Sequence, residues 1–90
     1  MGFAKRNYTG EHLSFKLDES HKGKTGIWYV YSVHDDTCHL GVIKWYWAWR
    51  RYVFWPEEET LYDSNCLKTI AEFIDAEMEQ RKKEQKEAKK

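Results

Sequence analysis

Lys44, Trp45, Tyr46, Trp47, Ala48, Trp49, Arg50, Arg51, Tyr52, Val53, Phe54, Trp55 and Pro56 form one continuous stretch that holds four of the chain's five tryptophans. The β-branched and aromatic residues on either side of its centre favour extended backbone. The stretch and the residues just before it therefore read as two strands, His39–Tyr46 and Arg50–Trp55, joined through Trp47, Ala48 and Trp49. That joint contains neither Gly nor Pro, which is poor turn chemistry. Pro56 has no N–H to give a ladder and ends the second of these strands.

Working outward, Ile27–Val33 is a third strand, and His34–Cys38 reads as the polar turn before His39. His12–Leu17 alternates, with Leu13, Phe15 and Leu17 on one side, and is either a short strand or a packing arm. Met1–Glu11 shows no period and is expected to be loose, and Asp18–Gly26 is a loop. After the connector Glu57–Tyr62, Asp63 or Ser64 is suited to cap a helix. Leu67, Ile70, Ala71, Ile74 and Met78 recur at three and four residues, with Phe73 beside them. Residues 79–90 are charged or polar except Ala88, so the helix should run on into solvent, with Glu77/Arg81 and Glu79/Lys83 spaced as i,i+4 pairs. The predicted fold is α+β: a single domain over residues 1–90, with a three-stranded antiparallel β-meander packed against one C-terminal α-helix. His12–Leu17 is the candidate for a fourth, N-terminal strand.

A register can be set by centring the first turn on Asp36 and the second between Trp47 and Ala48. One face then carries Ile27, Tyr29, Tyr31, Ile43, Trp45, Arg50, Tyr52 and Phe54. The other carries Trp28, Val30, Leu40, Val42, Lys44, Arg51, Val53 and Trp55. A one-residue slip in any strand exchanges its two sets. Both faces are heavily apolar, and one helix covers one of them.

Ninety residues with 41% apolar and 17% aromatic content make one thin-cored domain. A chain of this size buries roughly 60–65% of its unfolded surface, so each ring, worth about 150–250 Å² of burial, carries weight. Fifteen basic and fifteen acidic side chains give zero net charge, which argues against coating nucleic acid or anionic membrane by bulk charge. No apolar run approaches the ~20 residues of a membrane span. Two cysteines, Cys38 and Cys66, and a polar N-terminus predict a cytoplasmic chain with reduced thiols. Asn7-Tyr8-Thr9 matches a glycosylation acceptor that such a chain would not use.

Chemistry-bearing constellations are few. His34, Asp35, Asp36, Thr37, Cys38 and His39 include five metal-capable side chains, but the spacing matches no closed site. A hairpin turn using Asp is the simpler account, and no metal is predicted. Cys66 stands near a helix start, where a thiol can be acidified, or is a small buried apolar residue. Glu57, Glu58 and Glu59 read as a solvated connector. There is no Gly-rich phosphate loop, Gly-x-Ser-x-Gly, His-Glu-x-x-His or Cys-x-x-Cys, and the chain reads as a non-enzyme with no cofactor. The remaining candidate is a binding surface of Lys44, Trp45, Trp47, Trp49, Arg50, Arg51 and Tyr52, since Trp, Tyr and Arg dominate interface hot spots. The alternative for these rings is plain core, with arginines lying over them. Trp47 and Trp49, nearest the hairpin tip, are the hardest to bury.

Gly41-Val42-Ile43-Lys44-Trp45-Tyr46, then Trp49-Arg50-Arg51-Tyr52-Val53-Phe54, Pro56, and Cys66-Leu67 before an amphipathic helix resemble small uncharacterised proteins encoded in bacteriophages and prophages. The resemblance spans about Gly26 to Ile74. Such relatives favour a Gly-Pro-like turn where this chain has Trp47-Ala48. The resemblance implies expression in the cytoplasm of a bacterial host and binding to a host protein, a defence factor among the options. The leading expectation is therefore a non-enzymatic protein-binding module. Nucleic-acid binding by the sheet and homodimerisation through it are the alternatives.

Overall fold

The computed structural model describes residues 7–21 and 23–88, and the side chains of all of these except residues 35–37 and 84–88. The elements in chain order are β1 (Tyr8–Thr9), β2 (Leu13–Leu17), β3 (Trp28–Ser32), β4 (Asp35–Tyr46), β5 (Arg51–Pro56) and α1 (Ser64–Ala88). The strands form one antiparallel sheet in the order β1-β2-β3-β4-β5. The α+β class and the C-terminal helix match the reading above, whereas the strand count of three or four is corrected to five.

The additional strand lies in the stretch expected to be loose. The Gly10 N–H donates to the Leu13 carbonyl at 2.8 Å, which folds Tyr8–Thr9 back onto β2. Tyr8 then packs its ring 5.8 Å from Phe15 and 6.3 Å from Phe73. Two residues are too few to show a period, so burial of one ring, not alternation, makes this strand. Residues 1–6 lie outside the described part.

The β3–β4 turn is Val33-His34 rather than His34–Cys38, and Asp35–Cys38 belongs to β4. Trp28 pairs with Ile43 and Val30 with Gly41, but Tyr31 pairs with His39, so Leu40 is surplus in a bulge. A second shift follows between Tyr31 and Ser32. These irregularities move β3 by one residue from the expected register and turn it over. Trp28 and Val30 therefore share a face with Ile43, Tyr52 and Phe54, while Tyr29 and Tyr31 face the other way. In β5 the shift is two residues, with Ile43 opposite Phe54, and an even slip keeps the faces.

The covered face is the core: Leu13, Phe15, Trp28, Val30, Ile43 and Tyr52 are buried against Ile70 and Phe73 of α1. Phe73 stacks on Phe15 at 4.3 Å and meets the edge of Trp28 at 5.1 Å. Because Phe73 is the centre of the helix face, the buried stripe is Cys66, Ile70, Phe73 and Glu77, flanked by Ile74 and Met78. The expected stripe through Leu67 and Ala71 is corrected, since Leu67 is 52% exposed and Ala71 is also exposed. Asp63 is the cap: its Oδ1 accepts the Cys66 N–H at 2.9 Å, which holds the Asp63 carboxyl below the usual carboxylate range.

Candidate functional site

A small sheet offers a partner either its edges or its uncovered face, and here the edges are partly covered. Along β5 the Tyr52 N–H points away from the sheet and is taken by Met78 Sδ at 3.4 Å. Pro56, two and four residues beyond Phe54 and Tyr52 in the same register, has no N–H to offer. At the other edge β1 covers Ser14 and Phe15, and Asn7 Oδ1 accepts the Leu17 N–H at 2.8 Å. Each edge is therefore covered at some of its backbone groups.

The face turned away from α1 is different. Alternation from Lys44 places Lys16, Tyr29, Tyr31, His39, Val42, Lys44, Tyr46, Arg51, Val53 and Trp55 on it together. Lys44 Nζ lies 4.9 Å over the Trp55 ring and Lys16 Nζ lies 5.0 Å over Tyr31. Tyr46 meets Trp49 at 5.1 Å and Trp55 at 5.6 Å, both edge-on. Tyr46, Trp49, Val53, Phe54 and Trp55 line a groove of about 270 Å³. Two carboxylates border this face. Asp18 accepts from the Tyr29 hydroxyl at 2.9 Å and the Ser20 hydroxyl at 2.6 Å, which holds its pKa below the usual value and raises that of Tyr29. Glu57 lies 3.6 Å from His39 Nδ1.

The β4–β5 turn spans Trp47–Arg50. The Trp49 N–H donates to Tyr46 O at 3.2 Å and the Arg50 N–H to Trp47 O at 3.3 Å. Arg50 then takes a left-handed φ of 53°, where glycine is the usual occupant. This conformation is how the chain turns without Gly or Pro. It leaves Trp47 71% and Trp49 67% exposed.

The seven predicted binding residues thus do not form one patch. Lys44, Trp49 and Arg51 fall on or beside the open face, with Arg50 adjoining Trp49 in the turn. Trp47 turns to the helix side, edge-on to Trp45 at 5.9 Å. Trp45 is half-buried beneath the Arg81 guanidinium, 4.9 Å away. Tyr52 is 3% exposed and accepts the Gly26 N–H on its hydroxyl at 3.0 Å, so it belongs to the core. Tyr46, Trp55, Tyr29, Tyr31 and Lys16 join the face; counting every second residue from Lys44 finds Tyr46, and counting from Arg51 finds Trp55. Arg81 itself corrects the view of residues 79–90 as wholly solvated, since it covers Trp45 and donates to the Lys24 carbonyl at 3.3 Å. Glu79, Lys82 and Lys83 are exposed as expected.

The other candidates separate. The His34 ring lies 6.1 Å from that of His12, whereas His39 packs on Tyr29 and Tyr31. The side chains of Asp35, Asp36 and Thr37 lie outside the described part, and among the described residues no three metal-capable side chains converge. Burial pushes the Cys66 thiol up, so the helix start does not activate it.

The chain is similar to an uncharacterised 9.3 kDa protein of Acholeplasma phage L2. The two are 40% identical over 48 residues, which is 53% of this chain and 62% of that protein. The likeness to small phage proteins read from the Gly41–Pro56 motifs is thereby shown. No protein-family model matches the chain, and no solved structure does. Among the described residues, no helix is long and apolar enough to cross a membrane.

Proposed function

We propose that the protein is a non-enzymatic binding module that takes a host protein partner in the cytoplasm of a bacterial host. The partner meets the uncovered sheet face and the adjoining tip of the β4–β5 turn. One observation carries this reading: Trp47, Trp49 and Trp55, the last 40% exposed, stand in solvent at the β4–β5 turn and on the open face. Large rings left in water on a domain this small are held for a contact. Lys44, Arg50 and Arg51 beside them supply orientation through charge-assisted hydrogen bonds.

The direct test is capture from bacterial lysate, with and without nuclease, by the intact chain and by a Trp47→Ala/Trp49→Ala double variant. The intact chain should retain a nuclease-resistant protein that the variant loses, at unchanged melting temperature. Equal capture by a folded variant overturns the reading.

A second reading, nucleic-acid binding by the sheet, is favoured by Lys16, Lys44 and Arg51 lying among the rings of the open face. It requires affinity that falls steeply with salt and capture that nuclease abolishes. Sedimentation at several concentrations tests the third arrangement, a homodimer through the same face.

A further inference from the structure

Zero net charge conceals a division along the molecule. β4 runs toward the Trp47–Arg50 turn, β5 returns from it, and α1 starts at the far end and runs back, so that Met78 reaches Tyr52 and Arg81 reaches Trp45. Exposed Glu57, Glu58, Glu59 and Asp63, with Lys68 among them, therefore lie at the far end of the sheet. Exposed Arg50, Arg51, Lys82 and Lys83 lie toward the turn, with Glu79 as the one exposed carboxylate described beside them, on the same end as exposed Trp47 and Trp49. Lys44, Arg50 and Arg51 make no salt bridge with any described residue. The groove between Trp49 and Trp55, floored by Tyr46 and Val53, is thus apolar inside and cationic at its rim.

From this geometry we infer the partner's chemistry, an inference that rests on the proposed protein-binding function. The contacting segment is an acidic peptide with one large apolar side chain. That side chain seats in the Tyr46–Trp49–Val53–Trp55 groove, and its flanking carboxylates meet Lys44, Arg50 and Arg51. The volume of about 270 Å³ suits one side chain and is too small for a folded element. The groove's rings are braced edge to face, 5.1 and 5.6 Å apart, so the pocket is formed in advance and little ordering is spent on closing it. Charge complementarity is supplied by three cations that no described carboxylate answers.

A nucleic-acid strand fits less well. A base stacking on Trp55 must displace the Lys44 ammonium already over that ring. A phosphate chain crossing the face also meets the Asp18 or the Glu57 carboxylate at its borders. Arg50 and Arg51 stand at the turn with Lys44 nearby, while Lys16 stands apart on β2, so the cations do not follow one backbone path across the sheet.

The inference is tested on the whole chain with four probes: a short Glu-rich peptide with a central Phe, the same peptide with Ala in place of Phe, a Lys-rich peptide with the central Phe, and oligo(dT). The readouts are calorimetry and the indole N–H resonances of Trp49 and Trp55. The Glu-rich Phe peptide should bind and shift both indoles. Replacing its Phe by Ala should weaken it by about 10-fold or more, the loss of one hot-spot side chain. Arg50→Glu/Arg51→Glu should abolish the binding at unchanged melting temperature, because both side chains are exposed. Equal binding of the Lys-rich peptide, tighter binding of oligo(dT), or no peptide shifting either indole overturns the inference. Trp49-dependent binding of both peptides without regard to charge overturns the acidic partner alone and leaves the binding module standing. Lysate capture that survives Trp47→Ala/Trp49→Ala overturns the module itself.

Discussion

The two faces of the sheet are built from nearly the same residue types and have opposite fates. The covered face holds Phe15, Trp28, Tyr52 and Phe54 with Val30 and Ile43; the open face holds Tyr29, Tyr31, Tyr46 and Trp55 with Val42 and Val53. What separates them is the company each ring keeps. On the covered face rings meet rings and α1, at centroid distances of 4.3 to 5.5 Å. On the open face two of the four rings lie under lysine ammoniums, which need water on their far side. Hydrophobicity alone therefore does not define the core here; contact with α1 does.

The comparison breaks most visibly by truncating one ring from each face. Trp28→Ala or Phe73→Ala should cost about 3–5 kcal/mol, enough to unfold much of a domain this small, measured by urea denaturation. Trp55→Ala should stay within about 1 kcal/mol in the same assay. Equal losses would mean that both faces are core.

Gly41→Ala probes how closely the two sides of β5 approach β4. A Cβ there would stand 2.5 Å from the Trp55 carbonyl oxygen and 2.7 Å from the Phe54 ring. The expected cost is about 1–3 kcal/mol in the midpoint of denaturation. Arg50→Gly should act in the opposite direction, raising stability by about 0.5–1 kcal/mol by removing the left-handed conformation from a residue with a Cβ. A loss there would mean that the Arg50 side chain holds the turn.

The smallest effect concerns two carboxyls, Asp18 and Asp63, whose folded pKa values are both depressed by hydrogen bonds they accept. Their contribution is present above the unfolded value of about 3.9 and is lost as pH falls through the lower folded values. Asp18→Asn and Asp63→Asn should each flatten the acid limb of the melting temperature below about pH 4, leaving its neutral part nearly parallel to that of the parent chain. A variant whose acid limb keeps its full slope would place the shift elsewhere.

Much of the fold was legible where period and chemistry agree. A cap at Asp63 or Ser64, α1 to its charged end, and strands around Ile27–Val33 and Gly41–Trp55 follow from residue type alone. The register of β3 was not legible, because the Leu40 bulge is held by contacts distant in sequence. Its carbonyl accepts from the Tyr62 hydroxyl at 2.7 Å and the Glu57 N–H at 2.9 Å. Reading through a bulge without seeing it turns a strand over, which is why Trp28 and Tyr29 exchanged faces. The helix face was misplaced for a related reason, since Phe73 outweighs Leu67 and Ala71 only once Phe15 and Trp28 are known to surround it. For the candidate surface, Trp47 and Trp49 were identifiable from turn chemistry. Lys16 and Tyr31 were not, since β2 and β3 bring them together from 15 residues apart.

The account depends on one side of the sheet standing in water, and the five tryptophans report on that directly. In a dilute solution with a soluble paramagnetic chelate, the indole N–H signals of Trp47, Trp49 and Trp55 should broaden strongly. Those of Trp28 and of Trp45, whose Nε1 is buried, should stay sharp. Sharp signals from Trp49 and Trp55 in the monomer would show that something covers the open face and would contradict the account.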